Sequence, residues 1–247
     1  MNTESATMKN TAVFKIVGAA AAALLLNACG GGGLSSATTS ATSFNLQQGM
    51  SGLVTNGQSS AVTLSGTVVV SGTSVPFTGS GTLTLNAASS ATFNGEGALA
   101  QTETISGTIT AEGQSATYSS AAVDYYATGD YALLGETTSS EYDVAPSAFT
   151  YPASVTAGSS GVLGTTSDYT DSSMNTPAGT TQFSYAVTTQ SGSTTAVSVA
   201  ITEQIYDTGS NLLQTDVTSY SLSDAGVLTL VSASVQNSSE SLTVTVH

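Results

Sequence analysis

The chain has no arginine, and its two lysines, Lys9 and Lys15, both lie in the first fifteen of 247 residues. Sixteen residues are Asp or Glu. Glu4 alone of these precedes Cys29, so fifteen acids and no Lys or Arg follow it; the formal net charge is −14. Each absence excludes a class of function. Nucleic-acid binding needs cationic side chains to displace counterions from phosphates, so it is excluded. Nucleotide and phosphoryl chemistry loses its usual cationic clamp. Attraction to anionic lipid headgroups is missing as well. No Lys or Arg salt bridge can form within residues 30–247. The bland account of the acidity is that it keeps an exported protein soluble.

Histidine, cysteine and tryptophan are equally scarce. The one His is His247, the last residue printed, which leaves a nucleophilic serine without its usual base and zinc without a ligand cluster. A Ser–Lys arrangement fails for want of lysine. One Cys permits no disulfide within the chain, so an exported chain of this kind depends on its core alone. With no Trp and six Phe there are no paired aromatic girdles, and the strand-like segments carry Ser and Thr. Both features argue against a membrane-spanning barrel.

The lone Cys29 sits in LLLNACGGGG, residues 24–33. Before it runs an apolar stretch, Ile16 to Leu26, whose helix would rise only about 16 Å, roughly half a bilayer core. Flanking lysines and this length fit a signal-peptide apolar region, with translation starting at Met1 or Met8. The pattern Leu26-Asn27-Ala28-Cys29 resembles the lipobox of bacterial lipoproteins: an aliphatic residue at −3, a small one at −1, then cysteine. The resemblance covers the first thirty residues only, and Asn27 at −2 is less common there than Ser, Ala or Thr. It implies a signal peptide over residues 1–28, lipidation of the Cys29 sulfur and cleavage before it. It also implies a membrane partnership through acyl chains such as palmitate. Two or more chains give stable anchoring, at about 0.8 kcal/mol per buried methylene. Gly30 is not the aspartate that often retains such proteins at the inner membrane, so the resemblance points to the outer membrane, with the periplasmic or extracellular face open. Residues 29–43, Gly-, Ser- and Thr-rich, read as a flexible tether.

Residues 44–247 read as an all-β domain. Thr and Val favour strands, and long helical patterns are missing. Val62-Thr-Leu64-Ser, Thr82-Leu-Thr-Leu85 and Val197-Ser-Val199-Ala-Ile201-Thr alternate, which puts apolar residues on one face and hydroxyls on the other. Turn signals recur at Asn56-Gly57, Asn94-Gly95, Glu112-Gly113, Ser191-Gly192, Thr208-Gly209-Ser210-Asn211 and Asp224-Ala225-Gly226. The expected architecture is an antiparallel meander forming a barrel-like or sandwich domain. A weak repeat at an offset of 79 or 80 pairs Ser80-Gly81 with Ser160-Gly161, Gly113 with Gly192, and Thr128-Gly129 with Thr208-Gly209. It fits two similar units of about 80 residues, 74–150 and 151–235; Ser and Thr richness alone also produces such matches.

Chemistry is left to carboxylates. Glu103, Glu112, Asp124, Glu136, Glu203 and Asp216 could supply a glycosidase-like pair, although the expectation is that most are solvated. Acids and tyrosines adjoin at Asp124-Tyr125-Tyr126, Asp130-Tyr131, Glu141-Tyr142-Asp143, Asp168-Tyr169 and Tyr206-Asp207. One reading is a glycan- or peptide-binding surface. The plainer one is half-buried rings with hydroxyls reaching solvent. Asp168, Asp171 and Asn175, or Asp207 and Asn211, could offer oxygen to calcium, but neither set matches an EF-hand loop. No catalytic, metal or cofactor-binding residue is assigned. The leading expectation is a lipid-anchored, non-catalytic structural, adhesive or binding module whose protein or glycan partner is unknown. The alternatives are a carrier, which predicts a cavity lined by aliphatic residues, and a carboxylate hydrolase, which predicts paired acids in a cleft.

Overall fold

A computed structural model describes residues 42–247; the leader, Cys29 and most of the tether lie outside the described residues. After helix α1 (Leu46–Asn56) come β1 (Gln58–Val70), β2 (Thr73–Leu85), β3 (Ser89–Phe93), β4 (Glu96–Ala111), β5 (Gln114–Ala127), β6 (Leu133–Thr137) and β7 (Tyr142–Phe149). They are followed by β8 (Ser160–Tyr169), β9 (Pro177–Thr189), β10 (Ala196–Asp207), β11 (Leu212–Ser223), β12 (Leu228–Asn237) and β13 (Glu240–Val246). Sequence neighbours pair antiparallel almost throughout, β13 returns to β1, and β2 pairs with β4. The result is a closed antiparallel barrel of twelve strands, which settles barrel against sandwich. The thirteenth strand, β3, lies outside the ring and pairs along the stretch of β4 beyond β2.

The turns follow from residue chemistry. Ser71-Gly72, Asn94-Gly95 and Glu112-Gly113 each place two successive residues at positive φ. That is the twist of a two-residue hairpin turn. Asn56-Gly57 differs from its sequence reading: it ends α1, with the Gly57 N–H donating to the Leu53 carbonyl at 2.8 Å. The expected alternation holds. Val62, Leu64, Leu83 and Leu85 are buried, while Ala61, Thr63, Ser65 and Thr82 are exposed.

A ring of twelve strands is wider than one its own side chains fill easily. Helix α1, not foreseen in the sequence, stops one end of it. Leu46, Met50, Leu53 and Val54 recur at helical spacing and are all buried. Asn45 caps the helix by accepting the Gln48 N–H at 2.9 Å. Leu46, Met50 and Leu53 join a cluster with residues of β1, β2 and β9–β13, whereas Val54 packs with Tyr126, Leu133, Phe149 and Phe183. Gln101 on β4 reaches the helix end: its Nε2 donates to the carbonyls of Leu53 (3.1 Å), Val54 (3.4 Å) and Asn86 (3.0 Å). One amide thereby ties α1 and the β2–β3 break to the wall.

The neighbouring strands β2 and β4 approach closely at one point. An added Cβ at Gly81 would run into the Ser106 carbonyl, and one at Gly107 into the Ser80 carbonyl. These facing glycines let β2 and β4 coil tightly where larger residues would force them apart. The two stretches of the weak repeat share this one ring. Gly113 and Gly192 fall in the β4–β5 and β9–β10 turns, five strands apart. Because neighbours are antiparallel, an odd offset puts equivalent turns at opposite ends of the barrel.

Candidate functional site

Alternation decides which acids point inward. On β10, Val197, Val199 and Ile201 face the core, so Glu203 two residues on faces it too. On β11, Asp216 is in phase with Thr218, Tyr220 and Leu222. The same reasoning brings in Glu103 on β4, Asp124 on β5, Asp143 on β7 and Asp168 on β8; Glu136 on β6 turns inward out of phase with Leu133, through the register shift there. All seven carboxyl side chains are buried, each 1–5 % exposed. The expectation of mostly solvated acids is therefore overturned for five of the six candidates; Glu112 alone of them is exposed, at the tip of the β4–β5 hairpin.

Register lines these acids up. Asp124 lies opposite Glu136, Glu136 opposite Asp143, and Asp143 opposite Asp168. Across the ring Glu203 lies opposite Asp216. Directly opposed residues have Cβ atoms about 5 Å apart. Glu103 joins the belt from β4, with Asp124 and Glu136 close enough to act on its charge.

Several hydroxyls and amides serve the belt. Thr166 and Thr181 donate to the two oxygens of Asp168 at 2.7 and 2.8 Å. Gln214 donates to Asp216 Oδ2 at 2.9 Å, and Tyr126 donates to Asp124 Oδ2 at 3.3 Å. Glu103 Oε2 is enclosed without a hydrogen-bond partner. Burial first, then Asp124 and Glu136, pushes the Glu103 carboxyl well above the usual glutamate range. Burial likewise raises the hydroxyls of Tyr126, Tyr151 and Tyr220. Of the tyrosines that adjoin acids in sequence, Tyr126 is fully enclosed, so the plainer reading fails for it, whereas Tyr125, Tyr131, Tyr142, Tyr169 and Tyr206 are half-buried.

Electrostatics limits the charge this belt can carry. Two ionised carboxylates 5–7 Å apart repel by about 2–3 kcal/mol at an effective dielectric near 20. Four directly opposed pairs would together rival the roughly 5–15 kcal/mol that holds a domain folded. No Lys or Arg among residues 42–247 offsets this.

The remaining candidates separate. Tyr125 faces outward, away from Asp124 and Tyr126. There Phe93 stacks between Tyr125 and Tyr142, with ring centroids 4.4 and 5.3 Å apart, and so holds β3 against β5 and β7. Of the two sets of calcium candidates, Asp168 and Asp171 separate, whereas Asp207 and Asn211 meet and bond to each other. Asp168 points into the barrel, while Asp171 lies in the β8–β9 turn and accepts the Ser173 N–H at 2.8 Å. Asp207 accepts the Gly209 and Asn211 N–H groups at 2.8 Å each and the Asn211 amide at 2.9 Å. The Ser173 side chain first and then its N–H hold the Asp171 carboxyl below the usual aspartate range, as the Asn211 side chain first and then its N–H do for Asp207. Among the described residues no group of three or more His, Cys, Asp or Glu is placed to hold a metal ion.

The sectors beside the belt are aliphatic and packed against α1. A groove of about 370 Å³ lies outside them, between α1 and the start of β12, lined by Gly49, Gly52, Asn56, Gln58 and Val227 among others. It is a surface recess with mixed lining, unlike the aliphatic cavity expected of a carrier. No family model, curated protein or solved structure matches the chain. Its function is therefore argued from its own residues. The sequence reading missed Asp143 and Asp168 as partners of Glu103 and Asp124, because pairing across strands is set by register and not by spacing along the chain.

Proposed function

We propose that this chain is a lipid-anchored bacterial envelope lipoprotein whose barrel is a non-catalytic structural, adhesive or binding module. The observation that carries this reading is the sole cysteine, Cys29, preceded by Leu26-Asn27-Ala28 and an apolar leader and followed by a small-residue tether. The described part of the chain supports the division of labour. The tether leads into Phe44, which is pinned to Val155 by backbone hydrogen bonds of 2.8 and 2.9 Å at the α1 end of the barrel. Anchoring there directs the β1–β2, β8–β9 and β10–β11 hairpins away from the membrane. Those distal hairpins expose Val69, Val70, Met174, Leu212 and Leu213, which suits contact with a partner.

The outer wall also suits water. Thr245, Thr63, Ser80, Thr108 and Thr117 stand side by side on β13, β1, β2, β4 and β5. A lipid-facing barrel carries an apolar outer band at such positions. A hydrolase reading is disfavoured because the acids are enclosed and not set in a cleft open to substrate. The outer membrane is the proposed address. Growth with labelled palmitate tests the anchor: the wild-type chain takes up label, and Cys29→Ala loses it. Equal labelling of the two would remove the basis of the proposal.

A further inference from the structure

The ring is staggered at two places, and the two overhangs end differently. At the α1 end β4 runs past β2, and β3 covers it by pairing with residues 96–100. At the opposite end β5 runs past β6. β5 pairs with β4 along its whole length without a register shift, whereas β6 pairs only with residues 123–126. Among the described residues no strand pairs with residues 114–122 on the side away from β4. We propose that this edge of β5 docks an extended segment of another protein, which adds a strand to the sheet and carries Lys or Arg beside Glu112. The inference rests on the reading of the barrel as a binding module, and not on the lipid anchor.

The overhang is already a strand. Tyr118 packs inward on the core with its hydroxyl against Gly81, and the hydroxyls of Thr110 and Ser115 bond across the hairpin at 2.8 Å. Along a strand between two neighbours, successive residues bond to alternate sides. The Ala127 N–H donates to the Ala132 carbonyl on the β6 side. Steps of two back along β5 turn the N–H and C=O groups of Ala121, Ser119, Thr117 and Ser115 the same way. All of these residues are exposed. Natural edges are commonly blunted by proline, a bulge or charge. Residues 114–122, QSATYSSAA, have none of these. Main-chain hydrogen bonds to such an edge are what give an added strand its affinity.

Charge selects the occupant. Glu112, exposed at the tip of the β4–β5 hairpin, stands at one end of the edge. Residues 42–247 contain no Lys or Arg to meet it. A second copy of the chain would bring the same acid-rich surface to the contact, and like charges oppose that encounter. A segment that is neutral along the edge and cationic beside Glu112 meets no such penalty.

The experiment adds a short synthetic peptide of alternating Thr and Val, with Lys at both ends, to the full chain in detergent. Amide hydrogen exchange is followed by NMR, and affinity by titration. The expected result is slower exchange at the N–H groups of Ser115, Thr117, Ser119 and Ala121. Exchange at Ala116 and Ser120, which bond toward β4, stays unchanged. Full N-methylation of the peptide weakens binding at least about tenfold, and so does Ser119→Pro. Proline there removes a donor on the open side, which an edge strand tolerates. Glu112→Gln weakens binding about two- to fivefold at low salt. Unchanged exchange along the edge overturns the proposal. Binding that N-methylation leaves intact, or equal affinity for a peptide ending in Glu, overturns it as well. Self-association of the full chain that Ser119→Pro abolishes also overturns it, by making a second copy the occupant. The methylated peptide decides the matter even if Ser119→Pro does not fold. The palmitate experiment reads the anchor separately, so failure of either test leaves the other standing.

Discussion

Glu103 and Gln101 lie two residues apart on β4, both turned inward, and they illustrate two ways of handling a buried polar group. Gln101 is neutral and spends its amide on three carbonyls; those of Leu53 and Val54 also accept the backbone N–H groups of Gly57 and Ala88. Glu103 has an oxygen with no hydrogen bond at all. Burying an amide that bonds is tolerable, whereas burying an isolated charge is costly enough that the group takes a proton instead. Replacement of Gln101 by Leu would keep the volume and take from the Asn86 carbonyl its amide donor, while the carbonyls of Leu53 and Val54 keep their backbone donors, Gly57 and Ala88. The expected loss is about 1–3 kcal/mol, read as a lower urea midpoint with unchanged slope. An unchanged midpoint would show that water reaches the Asn86 carbonyl and that the amide is dispensable. At this scale the sequence was partly legible. Extending the alternation of Val197, Val199 and Ile201 by one step lands on Glu203, and stepping back from Tyr220 lands on Asp216. What could not be read was that Asp143 lies beside Asp168, because a cross-strand neighbour depends on turn lengths and on the register shifts in β6 and β8.

At the scale of elements, α1 is the piece that composition concealed. Its sequence, LQQGMSGLVTN, contains two glycines and no charged residue, which weakens any helical pattern. Burial of Leu46 and Val54 overrides that propensity, as tertiary packing commonly does in short helices. Leu46→Ala is expected to lower stability by about 2–5 kcal/mol. Removal of the cap in Asn45→Ala should cost only about 1 kcal/mol. Equal effects from the two changes would mean that α1 is held by its cap and not by its buried face. The hairpins were more legible. Asn94-Gly95 and Glu112-Gly113 turn where the sequence places them, because positive φ at two successive positions leaves few residue choices. Asn56-Gly57 has the same letters and ends a helix, since the same left-handed preference serves both purposes.

For the whole molecule, alternation and turn spacing made the all-β class readable. They did not reveal closure, which rests on a contact between β2 and β4 that no local pattern records. The outward hydroxyls, the inward carboxyls and the missing cations are one design seen from different sides. Residues 42–247 hold no Lys or Arg, so no Lys or Arg salt bridge within them can be lost in acid. Acid also reduces the chain's net negative charge and with it the self-repulsion of the surface.

The proposed lipid anchor at Cys29 is the point on which the proposed location and role both depend. Intact-mass and peptide mass spectrometry of the native protein from envelope fractions reads it most directly. The account predicts a chain that begins at Cys29 and carries the added mass of a diacylglycerol group, with or without a further acyl chain on its new amino group. A free Cys29 thiol, or a leader still joined to residues 29–43, would contradict it.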